Sequence, residues 1–237
     1  MKIVSFLYNN KKIKESLKKM EENKIKIFVT GFFNSGKSTL VHTLDDEAIH
    51  VEKELSKAYD DEKTHTTTGF DLGNLVWARP NLQFNTEGVL MSKSEYIKEK
   101  IEYSGWHTSE IELKGCPGQM QFSVVRKILS RGSDGVLFLI DGCDLINIGN
   151  ALVILEETRA CLGDDIPIKI IANKSDKEEY HGADVISTMI GEEVYEGSAK
   201  YNIGVKDALI KILKSLSNYV NKAAITNSEG MILNGKF

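Results

Sequence analysis

Gly31-Phe32-Phe33-Asn34-Ser35-Gly36-Lys37-Ser38 decides how this chain is read. Its spacing, G-x-x-x-x-G-K-[ST], is that of a phosphate-binding loop (P-loop), and its flanks fit the motif. Ile25-Lys26-Ile27-Phe28-Val29-Thr30 reads as a short buried strand, and Thr39-Leu40-Val41-His42-Thr43-Leu44 as the first turns of a helix. Gly31 and Gly36 let the backbone curl. The N–H groups of Asn34, Ser35, Gly36, Lys37, Ser38 and Thr39 can then converge on phosphate oxygens. The following helix adds its positive dipole end. Lys37 brings a compact charge to the β- and γ-phosphates, and the Ser38 hydroxyl can ligate Mg²⁺.

Such a loop names neither base nor reaction. Ile166-Pro167-Ile168-Lys169-Ile170-Ile171-Ala172 reads as a buried strand ending in Asn173-Lys174-Ser175-Asp176. This is N-K-x-D at a strand's carboxyl end, where open α/β sheets place ligands. The Asp176 carboxylate can accept from guanine N1–H and the exocyclic amine, a donor pair adenine lacks. The Lys174 stem can lie over the base, and Asn173 can tie this loop to the P-loop. Glu192 to Gly197 reads as another strand, ending in Ser198-Ala199-Lys200, where the Ala199 N–H is the expected donor to guanine O6. The order of these segments argues against an ATPase or small-molecule kinase.

The chain resembles a Ras-superfamily small GTPase over residues 25 to about 218. Gly115-Cys116-Pro117-Gly118-Gln119 resembles switch II, usually Asp-x-x-Gly-Gln, and Thr66-Thr67-Thr68-Gly69-Phe70-Asp71-Leu72-Gly73 resembles switch I and the next strand. The run from Gln119 to Asp141 looks most like the bacterial cell-polarity (MglA-like) GTPases and their archaeal cousins, which also tend to lack the switch II aspartate. The resemblance implies a GTP/GDP-binding switch with Mg²⁺ held by Ser38 and Thr67, Thr66 being the near alternative. It implies a γ-phosphate contact from the Gly118 amide and a water oriented by Gln119, with Lys37 neutralising charge. An arginine finger could come from Arg126, Arg131 or a partner. Gly115 cannot accept from a metal-bound water. Unless another group fills that place, GDP leaves fast and hydrolysis is slow without a partner. A scaffold that binds nucleotide with little turnover is the other reading. Effectors, regulators (an activating protein, an exchange factor or a small adaptor) and a homodimer are the partners implied.

The rest of the sequence agrees. Strands and helices alternate, which argues for an α/β fold: a P-loop NTPase with a mostly parallel six-stranded sheet and helices on both faces. The strands are expected at 25–30, 69–77, 109–114, 135–140, 167–172 and 192–197. Helices are expected to 44 and over 119–130, 147–162, 183–190 and 203–219. A net charge of −4 gives no pull toward nucleic acid. Cys116, Cys143 and Cys161 have no metal spacing and fit a reducing cytosol. Lys2 speaks against N-myristoylation and Asn234-Gly235-Lys236-Phe237 against prenylation, so membrane contact is expected to be peripheral at most.

Three segments exceed a minimal domain. Residues 1–24 carry Ile13, Leu17 and Met20 at helical spacing among lysines, a basic amphipathic extension. The connection across 78–108 holds a helix-like Ser94 to Ile101, flanked by Trp77, Trp106 and His107, and reads as an insertion. Residues 219–237 form a tail with a hairpin-like Asn227-Ser228-Glu229-Gly230. His42 and His65 are expected to have no chemical role, and Asp141 and Asp144 to cap or turn.

Overall fold

The computed structural model describes residues 24–54, 67–80, 87–163 and 165–216. The basic extension before Lys24, His65, Thr66 and the tail lie outside these residues.

The strands are β1 (Lys24–Gly31), β2 (Ile49–Glu54), β3 (Thr67–Arg79), β4 (Val89–Ser92), β5 (His107–Gly115), β6 (Gly135–Asp141), β7 (Ile168–Asn173) and β8 (Val194–Glu196). The helices are α1 (Lys37–Leu44), α2 (Lys93–Glu99), α3 (Ser123–Ser130), α4 (Ile148–Leu162), α5 (Ala183–Ile190) and α6 over 205–216. The sheet order is β2-β3-β5-β1-β6-β7-β8, with β4 also on β3. From β5 through β8 the pairing is parallel, and β3 meets β2, β4 and β5 antiparallel. All six expected strands are present, but among the described residues the sheet has eight. The added β2 and β4 both grow on β3, which at 13 residues is long enough to hold them at different places.

Side-chain alternation explains how the sheet is covered. Ile25, Ile27 and Val29 of β1 join Leu137 and Leu139 of β6 against Leu40, Val41 and Leu44 of α1 and Leu209, Ile212 and Leu213 of α6. The intervening Phe28, Val136, Phe138 and Ile140 face the other way, onto Ile148, Ala151, Ile154 and Leu155 of α4 and Ile186 of α5. Both layers are needed because a central parallel strand is apolar on both faces. The helix expected over 119–130 opens instead as a 3₁₀ turn, Met120–Phe122, and becomes α3 only at Ser123.

The connection from β3 to β5 is folded. β4 pairs with β3, and α2 begins with a capping box. The Ser92 hydroxyl accepts from the Glu95 N–H at 3.1 Å, and the Ser92 N–H donates to Glu95 Oε2 at 2.8 Å. Tyr96, Tyr103 and Trp106 pack on Val76, Ala78 and Met91 as a third apolar cluster.

Burial sets the expected sensitivity of the main core. Ile154 is fully buried and Ile146 is 94% exposed. Ile154→Val should cost ~0.5–1.5 kcal/mol. Ile146→Val should stay within ~0.5 kcal/mol of wild type. Urea midpoints at constant slope are the measurement; equal shifts would take Ile154 out of the core.

Candidate nucleotide site

The loop between β1 and α1 is shaped by its glycines. Gly36 has φ 94°, and a Cβ there would stand 2.1 Å from the Asn173 amide nitrogen. Lys37 is buried, its ammonium donating to the Phe32 carbonyl at 2.7 Å and to Ser35 Oγ at 3.2 Å. Burial pushes its pKa down to about 8, against the pull of Cys116 and Asp71. Gly118 comes so close that a Cβ would lie 2.5 Å from Lys37 Nζ and 2.7 Å from the Phe32 backbone. A side chain at 118 would therefore separate this loop from the segment after β5.

Asn173 ends β7 and is 2% exposed. Its side-chain N–H donates to the Ser35 carbonyl at 2.7 Å, and its Oδ1 accepts from the Ala199 N–H at 2.7 Å. One amide thus joins the P-loop, the loop after β7 and the loop after β8. The Ala199 N–H, expected to serve guanine O6, is committed to this tie. Lys174, at φ 72°, donates to Asp141 Oδ2 at 2.6 Å, and Asp141 Oδ1 accepts from the Cys143 N–H at 3.1 Å. Asp144 likewise accepts from the Asn147 N–H at 3.2 Å. Asp176 is exposed. The Ser198 hydroxyl, donating to Asp176 at 2.5 Å, holds its carboxyl below the usual range. Lys200 lies over the Tyr201 ring at 4.8 Å.

Asp71, on β3 and 3% exposed, escaped the sequence reading. The Ser38 hydroxyl donates to its Oδ2 at 2.8 Å. Its Oδ1 meets His50 Nδ1, and His42 Nε2 stands 3.5 Å from the same oxygen. A Cβ built at Gly115 would lie 3.0 Å from both Asp71 Cβ and Oδ2. The place expected to lack a carboxylate therefore has one, delivered by the neighbouring strand. His42, expected to have no role, belongs to this cluster. His50 sits directly opposite Asp71 in the β2–β3 register. The signal was indirect: a glycine where a carboxylate is usual, and an aspartate between Phe70 and Leu72 on the strand paired with it. The hydroxyl of Ser38 and the carboxylate of Asp71 are hard oxygen donors of the kind Mg²⁺ takes.

Gln119 precedes the 3₁₀ turn. Its carbonyl accepts from Arg126 at 2.6 Å, and its Oε1 accepts from the Gln121 amide at 3.2 Å. Arg126 is 3% exposed and also donates to Glu157 at 2.7 Å. A buried guanidinium held by both partners is a clamp on this segment and does not reach out as a finger; Arg131 is exposed. Thr67 opens β3 in register with Glu54.

A cavity of about 580 Å³ collects Asn34, Gly36, Lys37, Ser38, Thr39, Gly118 and Gln119 with His42 and His50. Gly31 and Ser35, both buried in the same loop, do not line it. Asn173, Lys174, Asp176, Ser198, Ala199 and Lys200 are not in its wall and connect to it through the Asn173 tie.

This fold and loop set define a G domain. The Ras family model matches residues 81–218, more than half of the chain, and the chain belongs to the Ras family. It is similar to the Ras-related protein Rab-21 of Dictyostelium discoideum, 25% identical over 155 residues, 63% of this chain and 69% of that protein. Rab-21 of Mus musculus is 24% identical over 139 residues, 56% of this chain and 62% of its own length. RabZ of Dictyostelium discoideum is 29% identical over 126 residues, 50% and 54% respectively. Among the described residues no helix is long and apolar enough to cross a membrane.

The Asn173 tie can be tested apart from any ligand. Asn173→Ala leaves the Ser35 carbonyl and the Ala199 N–H buried without this partner, each an unmade bond worth ~1–3 kcal/mol. Urea unfolding should register a loss in that range or above. Wild-type stability would show that the three loops are joined by something else.

Proposed function

We propose that this chain is a GTP-binding switch that hydrolyses GTP to GDP and phosphate with Mg²⁺, and whose switch segments control partner binding. The observation that carries the reading is the Asn173 amide, which joins a P-loop to an N-K-x-D loop and a Ser-Ala-Lys loop. Membership of the Ras family supports it. The amides of Asn34, Ser35, Gly36, Lys37, Ser38 and Thr39, with the Lys37 ammonium, would hold the phosphates. Ser38 and Thr67 would hold Mg²⁺, with Asp71 as an outer partner; when bound, the ion neutralises the β–γ oxygens. Gly118 would contact the γ-phosphate and Gln119 would orient water, with Arg126 positioning Gln119 through its carbonyl. Asp176 would read guanine, and the Lys174 stem, steered by Asp141, would lie along the base. Ser198 positions Asp176.

Residues 25–218 would form the G domain, with 78–108 as an insertion and both ends as extensions. Gly115 in place of the switch II aspartate supports a position near the bacterial cell-polarity and archaeal members. Effectors and regulators would act on the switches, in the cytoplasm or peripherally at a membrane. A second reading, nucleotide binding with little turnover, draws on the engagement of the Gln119 side chain by Gln121.

Base choice gives the first test. Asp176→Asn exchanges an acceptor pair for an amide, so preference should swing from guanine to xanthine nucleotides in competition binding. An unchanged preference would move base reading elsewhere.

Asp71 gives the second. Asp71→Ala should release GDP faster at limiting Mg²⁺, by ~10-fold or more, as expected for loss of an outer metal partner. Gly115→Asp alone crowds two carboxylates and should not improve retention. Asp71→Ala with Gly115→Asp should recover much of it. If the double variant behaves as Asp71→Ala, the two positions do not share a role. Single-turnover GTP hydrolysis by the same proteins separates the switch from the low-turnover reading.

A further inference from the structure

We propose that His42, His50 and Asp71 form a binding site for a divalent transition metal of the zinc class, beside the phosphate cavity. Three elements converge there. His42 lies one turn beyond Ser38 on α1, on the same face. His50 comes from the edge strand β2, and Asp71 from β3, paired with it across the sheet. One ligand atom from each lies within 4.8 Å of the others. The His42 Nε2 to Asp71 Oδ1 separation, 3.5 Å, is already that of two ligands on one ion. With metal–ligand bonds of ~2.0–2.2 Å, tetrahedral geometry sets neighbouring ligand atoms about 3.3–3.5 Å apart. The His50 to Asp71 contact would open slightly to admit the ion.

The donor set selects the metal. Two imidazole nitrogens with one carboxylate suit zinc and its neighbours, whereas Mg²⁺ takes oxygens. The two carboxylate oxygens of Asp71 look different ways: Oδ2 takes the Ser38 hydroxyl and Oδ1 faces the imidazoles. The aspartate can therefore serve a hard site and a nitrogen-rich site without exchanging one for the other. Both imidazoles border the cavity, which leaves the remaining position of the ion open to water or to an anionic oxygen. Space for the ring of His50 is reserved by a glycine across the strand pair. A Cβ at Gly69 would stand 2.8 Å from His50 Cε1. The other interpretation of the cluster is a histidine pair that only orients Asp71 by hydrogen bonding.

The inference does not rest on the guanine reading, and its test is direct. Zn²⁺ is titrated calorimetrically into the full chain, with and without GDP, in excess Mg²⁺. One Zn²⁺ per chain is expected. His42→Gln and His50→Gln should each weaken uptake at least ~10-fold, the loss already typical of an outer-shell partner. A control with His107→Gln and His181→Gln should retain wild-type uptake. Co²⁺ bound to wild type should show the intense visible bands of a low-coordinate ion, a readout that needs no variant to fold. Uptake in the absence of GDP upholds the site even if guanine binding fails. Equal uptake by wild type and the His42→Gln, His50→Gln double variant would overturn the proposal, as would uptake that follows His107 and His181. Octahedral Co²⁺ spectra would reduce the cluster to a hydrogen-bonded prop for Asp71.

Discussion

One side-chain amide holds the ligand-facing edge of this molecule together. Asn173 leaves the end of a central strand and satisfies two backbone groups at once, a carbonyl in the P-loop and an N–H beyond β8. Loops are the mobile parts of an α/β fold, and their backbone groups need partners when they are buried. A single planar amide with a donor and an acceptor meets both needs in a fixed geometry. The positive φ of Lys174 follows from it, since the chain must turn sharply once the strand's last side chain points into the P-loop. Asp141 then takes the lysine, and Ser198 takes Asp176. Each polar group of this rim is positioned by the next.

The carboxylate beside Ser38 lies next to a strand whose own position there is glycine. Antiparallel pairing of β3 with β5 brings Asp71 and Gly115 side by side, so either position can fill the same volume. Glycine at 115 is what gives Asp71 its space. A motif read along one strand therefore misses a carboxylate that the neighbouring strand brings to the same place.

Much of the framework was legible because it is encoded locally. The strand β6 is a nearly continuous apolar run, β1 and β7 carry the apolar cores Ile27-Phe28-Val29 and Ile170-Ile171-Ala172, and the P-loop and N-K-x-D segments carry their own spacing. What escaped was set by pairing between segments. In β2, Ile49 and Val51 are exposed, so its apolar positions do not mark a buried face. The four residues of β4 are too short for any period to show. His50 and Asp71 become neighbours only through the register of β2 on β3. Sequence leaves Arg126 and Arg131 equal as sources of an arginine finger, but Glu157 and the Gln119 carbonyl hold Arg126 inside. Ala199 carries the expected residue at the expected place, yet its N–H is spent on Asn173.

The strand β3 runs unbroken from Thr67 to Arg79, a rod of about 40 Å at ~3.3 Å per residue. Toward one end Gly69 lines the cavity and the buried Asp71 meets Ser38 beneath it. The other is flanked by β4 and β5, and its Val76 and Ala78 are roofed by Tyr96, Tyr103 and Trp106. Trp77, on the opposite face, packs with Leu90 of β4 in the main core. The connection from β3 to β5 therefore packs against both faces of the sheet. Excising it would strip the distal half of the rod on one face and open the main core on the other, because Tyr96, Tyr103 and Trp106 cover the first and Leu90 packs in the second.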